Sequence, residues 1–356
     1  MEYVFSAGPP PGRLEALMIG LDAVLRSHGH SPAAGTTADV VFNTFPASAP
    51  RPFRRRAAAV FVAGLTEVEA ARDPIAQLYP VLVRSLSNVV LALTTGPAPA
   101  LHMITPEQGF VSIPAARLDA DFFAALYARL EPLATARLVI ENRFTPDLEK
   151  TLWEGDERTA AIARAGRMLA ELDLMPAPFP IEQLLSEREL RHVKKMYGIG
   201  GLSYGNFSAR LDDARFWMSA SGVDKSALRV IGRDFLLVTG YDAERNAMCL
   251  SVPADVEPRR VSVDAIEHWL IYRENPGVGA ILHVHAWMDG VSSTELTYPC
   301  GTYELGRAVA DLVQRAPDPV HAVVGLRNHG LTITGSDMDE ILARVTGRLV
   351  RNVPMT

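Results

Sequence analysis

The chain has 356 residues, of which 48% are hydrophobic and 21% are charged, and its formal net charge is -6. That length allows two domains with separate cores, and that composition is typical of a globular protein and excludes extended disorder. The acidic balance, with a pI of about 5.9, argues against a nucleic-acid partner, which would normally require a basic stripe.

The apolar runs are too short to cross a bilayer, and the first residues lack the basic and apolar regions of a secretory signal. We therefore expect a cytoplasmic protein without a membrane partner. Cys249 and Cys300 have no CxxC spacing, which suits a reducing compartment and predicts that neither is a zinc ligand.

Residues 1–143 alternate short β-rich runs with two stretches of helical period, "RLEALMIGLDAVLRSHG" and "LDADFFAALYARLEPLA". This alternation predicts a mixed or doubly wound α/β domain. Neither GxGxxG nor a P-loop is present, so we assign no chemistry to this domain. His28 and His30 flank Gly29 just past the first helix, and we interpret them as structural.

Residues 144–185 have the pattern of a connecting helix closed by a proline-rich hinge. We predict that this segment is a helical linker and that a second domain occupies residues 186–356. No internal repeat and no low-complexity tract is apparent in the sequence.

The stretch "GAILHVHAW" places His283 and His285 two residues apart in an otherwise small or apolar run. On an extended strand both imidazoles would project from the same face, which is a metal-ligand spacing. The alternative is a pair of buried core histidines. His329, in "RNHGL", could complete a set of three imidazoles with an open fourth position, which is typical of catalytic and not structural zinc.

Four segments in this order, "YGNFSAR", "SASGVDKS", "YRENPGVGAILHVHA" and "RNHGLTITG", resemble the class II aldolase/adducin family. That family includes L-fuculose-phosphate aldolase and L-ribulose-5-phosphate 4-epimerase. The resemblance covers the chain from about Ser186 onward. It implies an α/β/α domain with a mainly antiparallel central sheet, and a divalent metal, usually zinc, held by His283, His285 and His329.

The resemblance also implies a cradle for a substrate phosphate. Glycines in such loops let backbone N–H groups approach an anion, and hydroxyl and amide side chains complete the cage. Taken singly, each of these positions could equally be a turn residue. The cradle positions in this chain are Ser203, Gly205, Asn206, Ser221, Gly222 and Ser262.

Three departures from the family pattern bear on the substrate. Val263 follows Ser262 where the family has a second serine, and Asp264 stands where the sugar-phosphate enzymes carry a catalytic glutamate. An acid at a helix start has a plain explanation in the helix dipole, but beside a metal it could shuttle a proton. The segment between His285 and Gly301 is short, so we expect a different and more open rim.

The first functional hypothesis is a metal-dependent lyase or isomerase, with an aldolase as the leading expectation. A cation would chelate neighbouring carbonyl and hydroxyl oxygens of a small substrate and stabilise an enediolate, while Asp264 moves the proton. We disfavour a Schiff-base aldolase, because the few lysines lie in polar helical or loop contexts.

Two alternatives stay open at this stage. One is a non-enzymatic interaction module like that of adducin, whose domain lacks the metal histidines. The other is a non-haem iron oxygenase on the same scaffold, since imidazole suits iron as well as zinc, and Mn²⁺ or Co²⁺ is also compatible. The resemblance further implies a homo-oligomer, with a tetramer favoured.

Overall fold

The computed structural model describes residues 1–7, 12–33, 38–53, 61–106, 110–174, 181–191, 205–351 and 353–354. These residues form two compact units. The first comprises the described residues up to Thr135 together with 181–191, and the second comprises the described residues from Ala136 to 174 and from 205 to 354.

Helices and strands alternate along much of the chain. The helices of the described residues are α1 (Arg13–Ser27), α2 (Pro74–Ser85), α3 (Ala120–Thr135), α4 (Glu157–Glu171), α5 (Ile181–Leu184), α6 (Ala265–Glu274), α7 (Tyr303–Arg315) and α8 (Met338–Val345). Their strands are β1 (Glu2–Phe5), β2 (Ser31–Pro32), β3 (Val40–Thr44), β4 (Phe61–Glu69), β5 (Val89–Thr95), β6 (Ala100–Ile104), β7 (Phe110–Pro114), β8 (Glu141–Thr145), β9 (Asn206–Arg210), β10 (Phe216–Ser219), β11 (Phe235–Asp242), β12 (Ala247–Ser251), β13 (Ala280–Val284), β14 (Val323–Leu326) and β15 (Gly330–Gly335). Three short 3-10 turns lie at Lys150–Leu152, Lys225–Ala227 and Pro319–His321.

The first unit contains a mixed sheet in the order β2-β1-β3-β4-β5-β6-β7. Pairing is parallel from β2 to β5 and antiparallel from β5 to β7. Helices α1 and α3 share a hydrophobic cluster with one face of this sheet. Helix α2 contacts β5 and β6 but contributes nothing to that cluster, so it covers the other face. The fold of this unit is therefore α/β with helices on both faces.

The paired histidines after α1 serve this unit's packing, as the sequence predicted. His28 stacks on the ring of Tyr127 at a centroid distance of 3.8 Å, and Nε2 of His30 lies 2.9 Å from the Tyr127 hydroxyl. Both histidines therefore help to join the end of α1 to α3, which is a structural role.

The second unit contains an eight-stranded sheet in the order β14-β15-β13-β9-β10-β11-β12-β8. Neighbouring strands from β14 to β12 pair antiparallel, whereas the edge strand β8 pairs parallel with β12. The sheet is therefore mixed, and not antiparallel throughout.

Residues 144–174, most of the predicted linker, are built into the second unit, whereas residues 181–191 belong to the first unit. Strand β8, which spans Arg143, belongs to the second sheet, and helix α4 packs on β9, on β10 and on the turn at Lys225–Ala227. The apolar side of α4, with Ile162, Ala165 and Leu169, is buried in the second core. The unit boundary accordingly falls at Thr135, and residues 144–174 are part of the second unit's core and sheet.

No helix in the described parts of the chain has both the length and the apolar character needed to pass through a lipid bilayer.

The packing of α4 depends on Gly166. A Cβ atom at this position would lie 1.9 Å from the carbonyl oxygen of Lys225, so any side chain forces the helix away from the 3-10 turn. We expect Gly166→Ala to lower the free energy of unfolding of the second unit by about 1–3 kcal/mol, although alanine is the better helix former. Urea denaturation would measure this change. Arg167→Ala, at the exposed next position, should change stability by less than about 0.5 kcal/mol, and equal effects would contradict the packing argument.

Candidate metal centre

Three histidines converge at one end of an interior strand of the second sheet. His283 lies in β13, which pairs with β9 on one side and β15 on the other, and His285 follows the last residue of β13. His329 lies in the turn between β14 and β15, where Asn328 has a φ of 59°. A Cβ at Gly330 would lie 2.3 Å from the Val284 carbonyl oxygen, so this turn can approach β13 only because the residue is glycine.

The three side chains present ligand atoms to one another. One nitrogen from each of His283, His285 and His329 lies within 4.8 Å of the others, and the Nε2 atoms of His285 and His329 are 3.0 Å apart. The ring centroids are separated by 4.6 to 5.1 Å. The residues are 1%, 8% and 1% exposed, respectively, so the cluster is almost completely shielded from water.

Burial keeps these imidazoles neutral. It lowers the pKa of His283 to about 4 and that of His329 to about 3, and it lowers the pKa of His285 well below the ordinary range. Neighbouring imidazoles add to the shifts of His285 and His329. Nε2 of His283 has no hydrogen-bond partner among the described residues. Three neutral, buried imidazoles with converging lone pairs fit a divalent transition metal with an open position.

Asp264 lies directly before α6 and is 5% exposed. Its Oδ2 accepts a hydrogen bond from Asn206 Nδ2 at 2.8 Å and lies 4.0 Å from His283 Nε2. Burial raises the pKa of Asp264, an effect that the hydrogen bond from Asn206 opposes. The side chain makes no cap to the helix, so it is directed at the histidine cluster and not at the helix start.

A second buried carboxyl was missed in the sequence. Glu267 is 1% exposed and accepts a hydrogen bond from the Thr332 hydroxyl, which lies 3.5 Å from His283 Nδ1. Burial, and after it the negative charge of Asp264, raise the pKa of Glu267 to about 8. The sequence does contain an indication of Glu267. It comes three residues after Asp264, and residues three apart on a helix share a face.

His268, one residue further along α6, holds the helix to the sheet. Its Nδ1 lies 2.7 Å from the Ser208 hydroxyl, which in turn lies 2.9 Å from the Tyr272 hydroxyl. Burial lowers the pKa of His268 well below the ordinary range. A neutral ring in this chain of hydrogen bonds fixes the angle at which α6 presents Asp264 and Glu267.

The expectation that the lysines lie in polar surroundings was wrong for Lys225. This residue is 4% exposed, and burial lowers its pKa to about 8. Its charge contributes to the pKa shifts of Asp264, His283 and His285. Its sequence neighbours, Asp224 and Ser226, are polar, so its burial is a tertiary effect without a local signal.

The predicted phosphate cradle involves three places in the second unit. Gly205 and Asn206 lie at the start of β9, and the turn at Ser221 and Gly222 lies next to Ser262. Asn206 contacts Asp264 as above, and a Cβ at Gly205 would lie 2.4 Å from the His283 carbonyl oxygen. The Ser221 amide donates to the Arg260 carbonyl at 2.9 Å and the Ser262 amide donates to the Ser219 carbonyl at 3.2 Å. These bonds bring the turn at Ser221 and Gly222 beside Ser262. Ser203 lies outside the described residues.

Val263 is accommodated by the rim of the site. A Cβ at Gly301 would lie 3.0 Å from the Val263 Cβ, so this glycine lets the segment before α7 approach the valine closely. The segment between His285 and Gly301, which forms the rim of the site, therefore packs on Val263 next to Asp264. Cys300, in the same segment, adjoins the histidine cluster.

Comparison with known proteins places part of this unit in a family. Residues 190–291 match the Class II Aldolase and Adducin N-terminal domain. A methylthioribulose-1-phosphate dehydratase of Pectobacterium atrosepticum is 42% identical over 82 residues, which cover 23% of this chain and 34% of that protein. A protein of the same name from Klebsiella pneumoniae is 27% identical over 172 residues, 40% of this chain and 79% of that protein. The chain thus spans about a third of the first of these relatives.

Solved structures that this chain resembles include the L-fuculose-1-phosphate aldolase of Thermus thermophilus, with a TM-score of 0.33, 20% identity, and coverage of 53% of this chain and 87% of that one. An aldolase II superfamily protein from Pseudomonas syringae has a TM-score of 0.35 and 18% identity, and covers 56% of this chain and 73% of that one. The match of residues 190–291 supports the class II aldolase and adducin family for that part of the chain.

Proposed function

We propose that the second unit is a metal-dependent lyase that acts on a small hydroxy-carbonyl compound. The observation that carries this proposal is the buried cluster of His283, His285 and His329 with the Asp264 carboxylate 4.0 Å from His283. The name of the curated relatives makes dehydration of a phosphorylated ketose the first reaction to test. Aldol cleavage is the second, because the family's name includes it.

His283, His285 and His329 would hold the metal. A divalent cation in such a site acts as a Lewis acid on carbonyl and hydroxyl oxygens of a substrate. The same buried cluster favours an enzyme over an adducin-like interaction module, because an interaction surface has no need of three water-shielded imidazoles with converging nitrogens.

Asp264 and Glu267 would divide the proton chemistry. Burial raises the pKa of both carboxyl groups, and the charge of Asp264 adds to the shift of Glu267, which reaches about 8, so Glu267 would keep its proton at neutral pH. Asp264 would accept a proton from the substrate, oriented by Asn206. Glu267 would keep its proton next to Thr332 and limit the negative charge inside the site.

Lys225 and the cradle residues support an anionic substrate. The ammonium group of Lys225 is mostly protonated at neutral pH, because its pKa is about 8. It would add a buried positive charge to a unit that also supplies the hydroxyl and amide groups of Asn206, Ser221 and Ser262. A phosphate or carboxylate could then be held although Val263 supplies no hydroxyl.

The metal content gives the first test. We expect close to one divalent transition-metal ion per chain by mass spectrometry, and loss of that ion in His283→Ala, because the three histidines supply the protein ligands of a catalytic site. His28→Ala, a histidine that packs in the first unit, serves as the control and should retain the metal. Wild-type protein that remains metal-free after expression in metal-supplemented medium would contradict the site. Iron in place of zinc would favour the oxygenase alternative.

The role of Asp264 is tested by Asp264→Asn, which keeps the shape of the side chain but cannot take up a proton. Once a substrate is in hand, we expect kcat to fall by about a hundredfold or more, the loss typical of a general base. Asp255→Asn, at an exposed position of the same unit, should leave kcat unchanged. An unchanged kcat in Asp264→Asn would remove the residue from the mechanism.

The cradle is tested by comparing dihydroxyacetone phosphate with dihydroxyacetone in thermal denaturation of the metal-loaded protein. We expect the phosphorylated compound to raise the melting temperature more, since a ligand stabilises in proportion to its binding. Lys225→Met should remove most of that difference, whereas Lys150→Met, in a 3-10 turn elsewhere in the unit, should not. Equal shifts by the two compounds in the wild type would show that no phosphate cradle operates.

A further inference from the structure

A thiol adjoins the histidine cluster. Sγ of Cys300 lies 3.3 Å from Nε2 of His329 and 3.8 Å from its Nδ1. The same Nε2 atom is 3.0 Å from Nε2 of His285. The Cys300 sulfur and the His285 Nε2 atom are therefore both neighbours of Nε2 of His329.

The chain on either side of Cys300 is held in place. The Thr302 hydroxyl donates to the Pro299 carbonyl at 2.8 Å and accepts from the Leu305 amide at 3.3 Å, which caps α7. The Gly301 carbonyl accepts from the Val139 amide at 2.7 Å. The position of the thiol is thus set by hydrogen bonds of the residues on either side of it.

The distances suit shared coordination. In a tetrahedral zinc site with the usual bond lengths, two imidazole nitrogens lie about 3.4 Å apart, and a nitrogen and a thiolate sulfur about 3.6 Å. The observed 3.0 and 3.3 Å are within a few tenths of an ångström of those values. A second observation also points to a ligand: Nε2 of His283, in a side chain that is 1% exposed, has no hydrogen-bond partner in the described parts of the chain.

We infer that Cys300 is a fourth protein ligand of the metal, so that the substrate-free centre has three nitrogens and one sulfur. This inference rests on the proposed metal site. Binding of the cation releases the thiol proton, because the thiolate is the form that binds metals. A soft thiolate selects zinc or cobalt over magnesium or manganese. This role for Cys300 differs from the sequence expectation, which was that neither cysteine is a zinc ligand.

Cobalt substitution tests the inference without relying on activity. Co²⁺-loaded wild-type protein should show the intense near-ultraviolet sulfur-to-cobalt charge-transfer band in addition to visible d–d bands. Cys300→Ser should lose the charge-transfer band while it keeps the d–d bands and about one cobalt per chain. Cys249→Ser, which alters the other cysteine of the chain, should retain both sets of bands. The zinc dissociation constant of Cys300→Ser should rise at least about tenfold, the lower end of the loss seen even for outer contacts of a metal site.

The outcomes separate the two proposals. One bound cobalt per chain with d–d bands but no charge-transfer band in the wild type would overturn the role of Cys300 and leave the three-histidine centre intact. Failure to bind cobalt would overturn both. If Cys300→Ser does not fold, as judged by circular dichroism, alkylation of the wild type by iodoacetamide decides instead. Cobalt should slow modification of Cys300 but not of Cys249, and equal rates with and without cobalt would overturn the inference.

Discussion

The antiparallel pairing of β13 with β15 is the constraint on which the candidate site depends. It sets His283 opposite Thr332 and brings the turn that carries His329 against the end of β13. On the other side of β13, pairing with β9 sets His283 opposite Asn206. The strands thus supply His283, the amide that orients Asp264 and the hydroxyl that binds Glu267, while His285 and His329 lie directly next to strand ends. A site built on strands in this way keeps its geometry better than one built on loops.

The electrostatics of the site follow from its burial. Taking ionisable groups out of water disfavours their charged forms, and here this effect acts on histidines, carboxyls and a lysine together. It leaves the imidazoles neutral, raises the pKa of both acids and lowers the pKa of Lys225. The neutral imidazoles can therefore bind a cation, and the carboxyl and ammonium groups can exchange protons. Clusters of perturbed groups of this kind are typical of functional sites.

The rim of the site distinguishes this chain from the pattern that its motifs resemble. The segment before α7 is short, and Gly301 lets it pack on Val263. In consequence Cys300 lies against His329. In the sequence, Val263 replaces a family serine and the segment between His285 and Gly301 is short. In the folded unit these two features pack against each other.

Local patterns in the sequence were sufficient for the α/β alternation and for the two-residue spacing of His283 and His285, whereas the expectation for Asp264 came from the family resemblance. The local features have a period of two or of about 3.6 residues, so neighbouring residues encode them. Tertiary structure alone decided that β8 joins the second sheet, that Lys225 is buried among polar sequence neighbours, and that Cys300 meets His329. The reason is that burial and contact between distant residues depend on how the elements pack, and packing leaves no periodic trace in the sequence around them.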